Sequence, residues 1–114
     1  MRKIVNLTKP KDGIVRLMIF NDDYGTYLFG FKKNEDCGAE WDEWYETEND
    51  ALESVLKEYG VKKSEWNEIP NPEPNCQHDW ISPVRIKGRE NGQSEFGKLE
   101  KLVNGKWTEF EPSE

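Results

Sequence analysis

A chain of 114 residues fits a single domain, since domains usually take about 100–200 residues. Fourteen of its residues are Trp, Tyr or Phe, so we expect a core rich in aromatic side chains. The net charge of −7 is concentrated in residues 34–80, which carry fourteen acidic and three basic residues. This charge disfavours nucleic acid and anionic membrane as partners. With no signal-peptide pattern and no apolar run of membrane-spanning length, we expect a cytoplasmic protein.

The first third of the chain predicts short strands. Residues 3–7 are β-prone and lead into turn-forming residues at 9–13. Residues 14–20 and 26–33 flank an Asn-Asp-Asp-Tyr-Gly segment, whose residue types are typical of a turn, so they predict a hairpin. Residues 40–45 predict a further strand or an extended lead into a helix.

The pattern after Thr47 predicts an amphipathic helix over residues 48–59. Thr47 is a suitable N-cap, Gly60 a suitable C-terminal stop, and Lys57 is favourable in the last turn. At 100° per residue the apolar positions fall on one face, which we expect to pack on a sheet. These positions are Ala51, Leu52, Val55, Leu56 and Tyr59.

The second half of the chain predicts an ordered loop followed by strands. Three alternating prolines exclude a regular helix over 61–80, apart from a short helical turn at Ser64. Further strands are expected at 80–88, where Pro83 marks an edge or a start, and at 96–103. Asn104-Gly105 predicts a type I′ hairpin turn.

These elements predict an α+β fold with an antiparallel sheet of about five or six strands and one main helix on one face. We expect a single domain over residues 1–114, with a frayed tail at 111–114. Cys37 and Cys76 are expected to be reduced, because nothing in the sequence points to export.

The stretch 40–50 combines acidic residues with two tryptophans, as protein interfaces often do. We predict a docking surface for a basic protein partner, and the alternative is a solvated acidic face with tryptophans in the core. Because Trp41 and Trp44 would point to opposite faces of a strand, one of them should be exposed or covered by a loop. The predicted partner-binding residues are Glu40, Trp41, Asp42, Glu43, Trp44, Glu46 and Asp50.

The segment 75–80 is the one place where residue types common in enzymes gather. Cys76, His78 and Asp79 suggest a nucleophile, a base and an orienting acid, but a Cys-x-His spacing projects the two side chains apart. A zinc site needs about four ligands, and the soft ligands number three, so we predict neither a metal nor a cofactor. A small hydrolase using His78 and nearby acids remains the alternative to a binding protein.

A nucleic-acid site would use the basic residues of the first and last thirds of the chain. These residues are Arg2, Lys3, Lys32, Lys33, Arg85, Lys87 and Arg89. The isoelectric point of about 4.8 argues against such a site.

A small acidic chain with the stretch "EWDEWYETENDALE" (40–53) resembles the immunity proteins of bacterial toxin systems. The resemblance implies a non-enzymatic inhibitor that covers a basic toxin, such as a nuclease, with an acidic and aromatic surface. A regulatory domain acting through the loop at 66–80 is a further alternative. No oligomeric state follows from these patterns.

Overall fold

The computed structural model describes residues 1–95 and 97–111 of the chain. They divide into two compact units, of which the first combines Met1–Glu35 with Ala39–Asn71. The second unit combines Asp36–Gly38 with the described residues from Pro72 onward. The predicted frayed tail lies outside the described residues except for Glu111, and the single domain stays a prediction.

The first unit is built on a five-stranded antiparallel sheet with the order β4-β3-β2-β1-β5. β1 is longer than predicted, because the chain turns only at Asp12-Gly13, where both residues have the positive φ of a tight hairpin turn. The predicted hairpin of β2 and β3 is confirmed. The strands are β1 (Arg2–Lys11), β2 (Ile14–Asp22), β3 (Gly25–Phe31), β4 (Trp41–Tyr45) and β5 (Asn67–Ile69).

The single α-helix of the described residues, α1 (Glu48–Tyr59), begins and ends as predicted. The Thr47 hydroxyl accepts a hydrogen bond from the N–H of Asp50 at 3.1 Å, and Gly60 is left-handed. Ala51, Leu52 and Val55 are buried against the sheet, but Leu56 is 46 % exposed, so its predicted burial was wrong. Leu56 lies about 100° around the helix from Val55, at the margin of the apolar face.

The main core lies between α1 and one face of the sheet, which confirms the predicted fold class. Val5, Leu17, Ile19 and Leu28 supply the strand side of this core. On the opposite face, the rings of Phe20, Tyr27 and Phe29 stack in a row with centroids 6.2–6.4 Å apart. The sheet therefore carries large apolar side chains on both faces.

β5 lies inside the segment predicted as a loop, where Asn67–Ile69 pair with the first residues of β1. A three-residue run is too short for its sequence pattern to distinguish it from loop. Before it, Lys63–Glu65 form the short 3-10 turn expected at Ser64.

The second unit contains a separate three-stranded antiparallel sheet with the order β6-β7-β8. Its strands are β6 (Val84–Ile86), β7 (Leu99–Val103) and β8 (Lys106–Phe110). β6 starts directly after Pro83, and Asn104-Gly105 has positive φ at both positions, as a type I′ turn requires. Cys37 and Cys76 are thiols and form no disulfide, as predicted. Within residues 1–95 and 97–111, no helix is long and apolar enough to cross a membrane.

Candidate functional site

The acidic stretch forms the outer strand of the five-stranded sheet. β4 pairs with β3 through Gly30↔Trp41, Leu28↔Glu43 and Thr26↔Tyr45. Its other side faces no strand in the described part of the chain. We call this surface the acidic edge, and it comprises Glu40, Asp42, Glu43, Trp44 and Glu46.

The two tryptophans lie on opposite faces of β4, as predicted from strand geometry. Trp41 packs partly buried against the core under α1. Trp44 lies on the other face and is 52 % exposed. Trp44 is therefore the exposed residue of the pair, and Trp41 belongs to the core.

A glycine of β3 lies beneath each indole. A Cβ atom on Gly25 would come within 2.6 Å of Cε2 and Cζ2 of Trp44, and a Cβ atom on Gly30 would overlap Trp41 in the same way. Only residues without a side chain allow an indole to lie this close to the strand backbone. Trp44 is consequently packed closely against β3 while half of its surface faces solvent.

The acids of the acidic edge differ in how they are engaged. Asp42 and Glu46 are exposed. Glu40 forms an ion pair with Lys32 at 3.3 Å, and both side chains are about half exposed. Glu43 accepts a hydrogen bond from the Tyr45 hydroxyl at 2.8 Å. Exposed ion pairs are weak, so Glu40 still contributes to the negative field of the surface.

Asp50 is exposed in the first turn of α1, which follows β4 after Glu46 and Thr47. Its N–H is the group that Thr47 caps, and its negative charge is favourable at a helix N-terminus. These local roles account for Asp50, and the acidic edge itself does not include it.

Tyr45 supports the acidic edge from the α1 side. Its hydroxyl lies 2.8 Å from a Glu43 oxygen and 3.0 Å from the Ser54 hydroxyl, which joins β4 to α1. Burial raises the pKa of Tyr45, and the neighbouring Glu43 carboxylate raises it further, while the Ser54 contact acts in the opposite direction. Tyr45 therefore stays protonated near neutral pH and keeps donating to Glu43.

An exposed tyrosine at the β2–β3 turn was missed from the sequence. Asp22 accepts hydrogen bonds from the N–H groups of Tyr24 and Gly25 at 2.8 and 3.0 Å, as turn chemistry predicts. Tyr24, at the tip, is 86 % exposed and precedes the glycine beneath Trp44. A large aromatic residue within a turn sequence was the available indication.

The residues of the alternative enzyme site at 75–80 differ in their exposure to solvent. Cys76 is buried and His78 is exposed, so the two side chains face different surroundings. A cavity of about 290 Å³ in the same unit is lined by Trp80, Val84 and Phe110 among others, and His78 is not part of its lining. Across residues 1–95 and 97–111, no group of three His, Cys, Asp or Glu side chains could hold a metal ion.

The basic residues considered for nucleic acid are each engaged by an acceptor within their own unit. In the first unit Arg2 is buried and donates to the Pro70 carbonyl at 2.8 Å, and the three lysines form ion pairs. In the second unit Arg85 and Lys87 form ion pairs with glutamates, and Arg89 donates to the side-chain oxygen of Gln77. The pairs are Lys3–Glu48, Lys32–Glu40, Lys33–Glu35, Arg85–Glu90, Arg85–Glu100, Lys87–Glu109 and Arg89–Gln77.

No family model matches the sequence, and neither a curated protein nor a solved structure matches it.

Proposed function

We propose that this protein is a non-enzymatic binding module that docks a basic protein partner through the acidic edge. The observation that supports this most strongly is Trp44, a large aromatic side chain packed closely against Gly25 with 52 % of its surface exposed. Rigid aromatic residues lose little conformational entropy on binding and are enriched among the residues that dominate interface energy.

The size of the possible contribution follows from the exposed area. A Trp side chain can bury up to about 250 Å², so the exposed half of Trp44 offers roughly 130 Å² to a partner. At about 25 cal/mol per Å², its burial is worth about 3 kcal/mol before the costs of association. That exceeds the roughly 2 kcal/mol that defines a dominant interface residue.

The acids around Trp44 would select a cationic partner. Asp42 and Glu46 are exposed beside it, and Glu40 and Glu43 extend the negative charge along the strand. Exposed charges of one sign accelerate encounter with an oppositely charged protein. The resemblance to immunity proteins extends the proposal to a basic toxin as the partner class.

Binding kinetics with a basic protein encoded by the neighbouring gene would test the proposal. Changing Glu40, Asp42, Glu43 and Glu46 to their amides should lower the association rate constant about tenfold or more at low salt. Trp44→Ala should instead raise the dissociation rate constant, because it removes an anchor rather than charge. Salt should weaken the wild-type association, since charges are screened over about 10 Å at 0.1 M.

A matched control is Glu68→Gln on β5, an exposed acid at the opposite edge of the same sheet. It should leave both rate constants unchanged. A partner whose association ignores salt and all four amide substitutions would show that the acidic edge is only a solvated face.

A further inference from the structure

The outer side of β4 offers backbone hydrogen-bonding groups as well as side chains. In an antiparallel edge strand, alternate residues point both their N–H and C=O groups away from the neighbouring strand. Five residues at about 3.4 Å each make an edge of roughly 17 Å. The residues described by the structure place no strand on this side.

The charges on β4 decide which strand could pair with it. A second copy of this chain, paired antiparallel about Glu43, would place Glu43 opposite Glu43 and each Asp42 beside a Trp44. Directly opposed like charges destabilise a strand pair, so this occupant is disfavoured. A strand carrying Lys or Arg would instead gain an opposite-charge pair at each acid.

The edge strand β8 of the second unit differs from β4 in the charges that it carries. Lys106 and Glu109 give it one charge of each sign, and Glu109 is paired with Lys87 at 3.2 Å. β4 has two acids and no basic residue within its own five positions. The acidic strand therefore favours a cationic neighbour.

We propose that the basic partner adds an extended strand to the outer side of β4. This inference rests on the proposed function and specifies how that partner binds. Because side chains alternate, Asp42 and Trp44 share one face and Glu43 lies on the other. Three consecutive partner residues opposite Trp44, Glu43 and Asp42 would then be one apolar or aromatic residue followed by two cationic residues.

Two synthetic peptides would separate strand addition from side-chain docking. The first is a nine-residue peptide of Thr and Val with a central tyrosine followed by two lysines. The second has the same sequence, but the alternate backbone amides that would face β4 are N-methylated, which removes those hydrogen-bond donors and keeps the charge. Binding is measured by calorimetry at low salt, and amide hydrogen exchange is followed by NMR.

Strand addition predicts that the first peptide binds at least tenfold more tightly than its N-methylated twin. It also predicts slowed exchange at alternate amides of β4, because only the outward-pointing N–H groups gain new partners. Asp42→Lys with Glu43→Lys should abolish binding of the first peptide, whereas Glu68→Lys on the opposite edge should leave it within about twofold.

The outcomes distinguish this inference from the proposed function. Equal binding of both peptides, without slowed exchange in β4, would overturn strand addition and leave side-chain docking intact. Failure of the first peptide to bind would also overturn strand addition. The docking surface is tested separately, by the association and dissociation rate constants measured with the whole basic protein. A dimer in sedimentation that Asp42→Lys strengthens would show that a second copy is the occupant instead.

Discussion

The packing of Trp44 on Gly25 can be tested by adding one methyl group to the backbone beneath the indole. The Cβ atom of Gly25→Ala would lie within 2.6 Å of two ring carbons, well inside van der Waals contact. Gly25 also has a φ of +154°, a conformation that residues with a side chain rarely adopt. The substitution therefore combines a steric term with a backbone term.

The two terms have separable magnitudes. Overpacking by one methyl group costs about 1–3 kcal/mol when the neighbours cannot move away, and less when a surface ring can swing outward. Backbone strain of this kind costs about 1–3 kcal/mol on its own. Since Trp44 is half exposed, we expect Gly25→Ala to cost about 2–3 kcal/mol in total, of which about 1 kcal/mol depends on Trp44.

A double-mutant cycle in urea measures the part that depends on the ring. Gly25→Ala, Trp44→Ala and the double variant are compared by their free energies of unfolding. In the Trp44→Ala background the methyl group meets no indole, so the cost of Gly25→Ala should fall to the backbone term. Gly30→Ala is a control on the other face: no unusual φ accompanies it, so its cost should come almost entirely from contact with Trp41.

Additive costs at Gly25 and Trp44, within about 0.5 kcal/mol, would refute this packing. The indole would then lie elsewhere, and the close packing of Trp44 on Gly25 that supports the proposed function would be lost.

Three further predictions concern the helix, a tyrosine and the histidine. Leu52→Ala should cost about 2–5 kcal/mol in urea unfolding, whereas Leu56→Ala, at a half-exposed position, should cost less than about 1.5 kcal/mol; equal losses would contradict the observed helix orientation. Because the pKa of Tyr45 is raised in the folded protein, the stabilisation linked to its proton is complete below pH 10 and is lost as pH rises through the folded pKa. Tyr45→Phe should therefore make the free energy of unfolding fall less steeply at alkaline pH. An unchanged decline would contradict the role given to this tyrosine. His78→Gln should leave partner affinity unchanged in a binding assay, and a hundredfold loss of affinity with intact stability would show that His78 belongs to the binding surface.

The local features of the fold could be predicted because they depend on residues close in sequence. Thr47 and Gly60 mark the two ends of α1 through their own side-chain and backbone chemistry. Asn104-Gly105 marks a hairpin by its need for positive φ. In each case a few adjacent residues carry the whole physical cause.

Features that depend on distant pairing were harder to predict. β5 forms because Asn67–Ile69 pair with the free edge of β1, and nothing within those three residues predicts that pairing. The division of the strands into two sheets likewise depends on long-range contacts. The exposure of Leu56 depends on how α1 is rotated against the sheet, which periodicity fixes only to within part of a turn.

The candidate surface was predicted in part for the same reason. Strand alternation showed that Trp41 and Trp44 must separate, but only the sheet order reveals that β4 lies at an edge. The role of Gly25 beneath Trp44 involves a cross-strand neighbour, so the sequence gives no local indication of it. The exposure of Tyr24 was not predicted, because the residues around it are those expected for a turn and indicate no binding role.

The two glycines beneath the tryptophans, Gly25 and Gly30, also help to fix the register in which β4 pairs with β3. Sliding β4 by one residue along β3 would carry Trp41 and Trp44 to the wrong sides of the sheet and bring Asp42 towards the core. In such a slipped state neither indole would lie over the glycine that leaves room for it in the native register. Gly25 and Gly30 thus favour the native register over the slipped one. Bulkier residues at either position would destabilise the native register and reduce this preference.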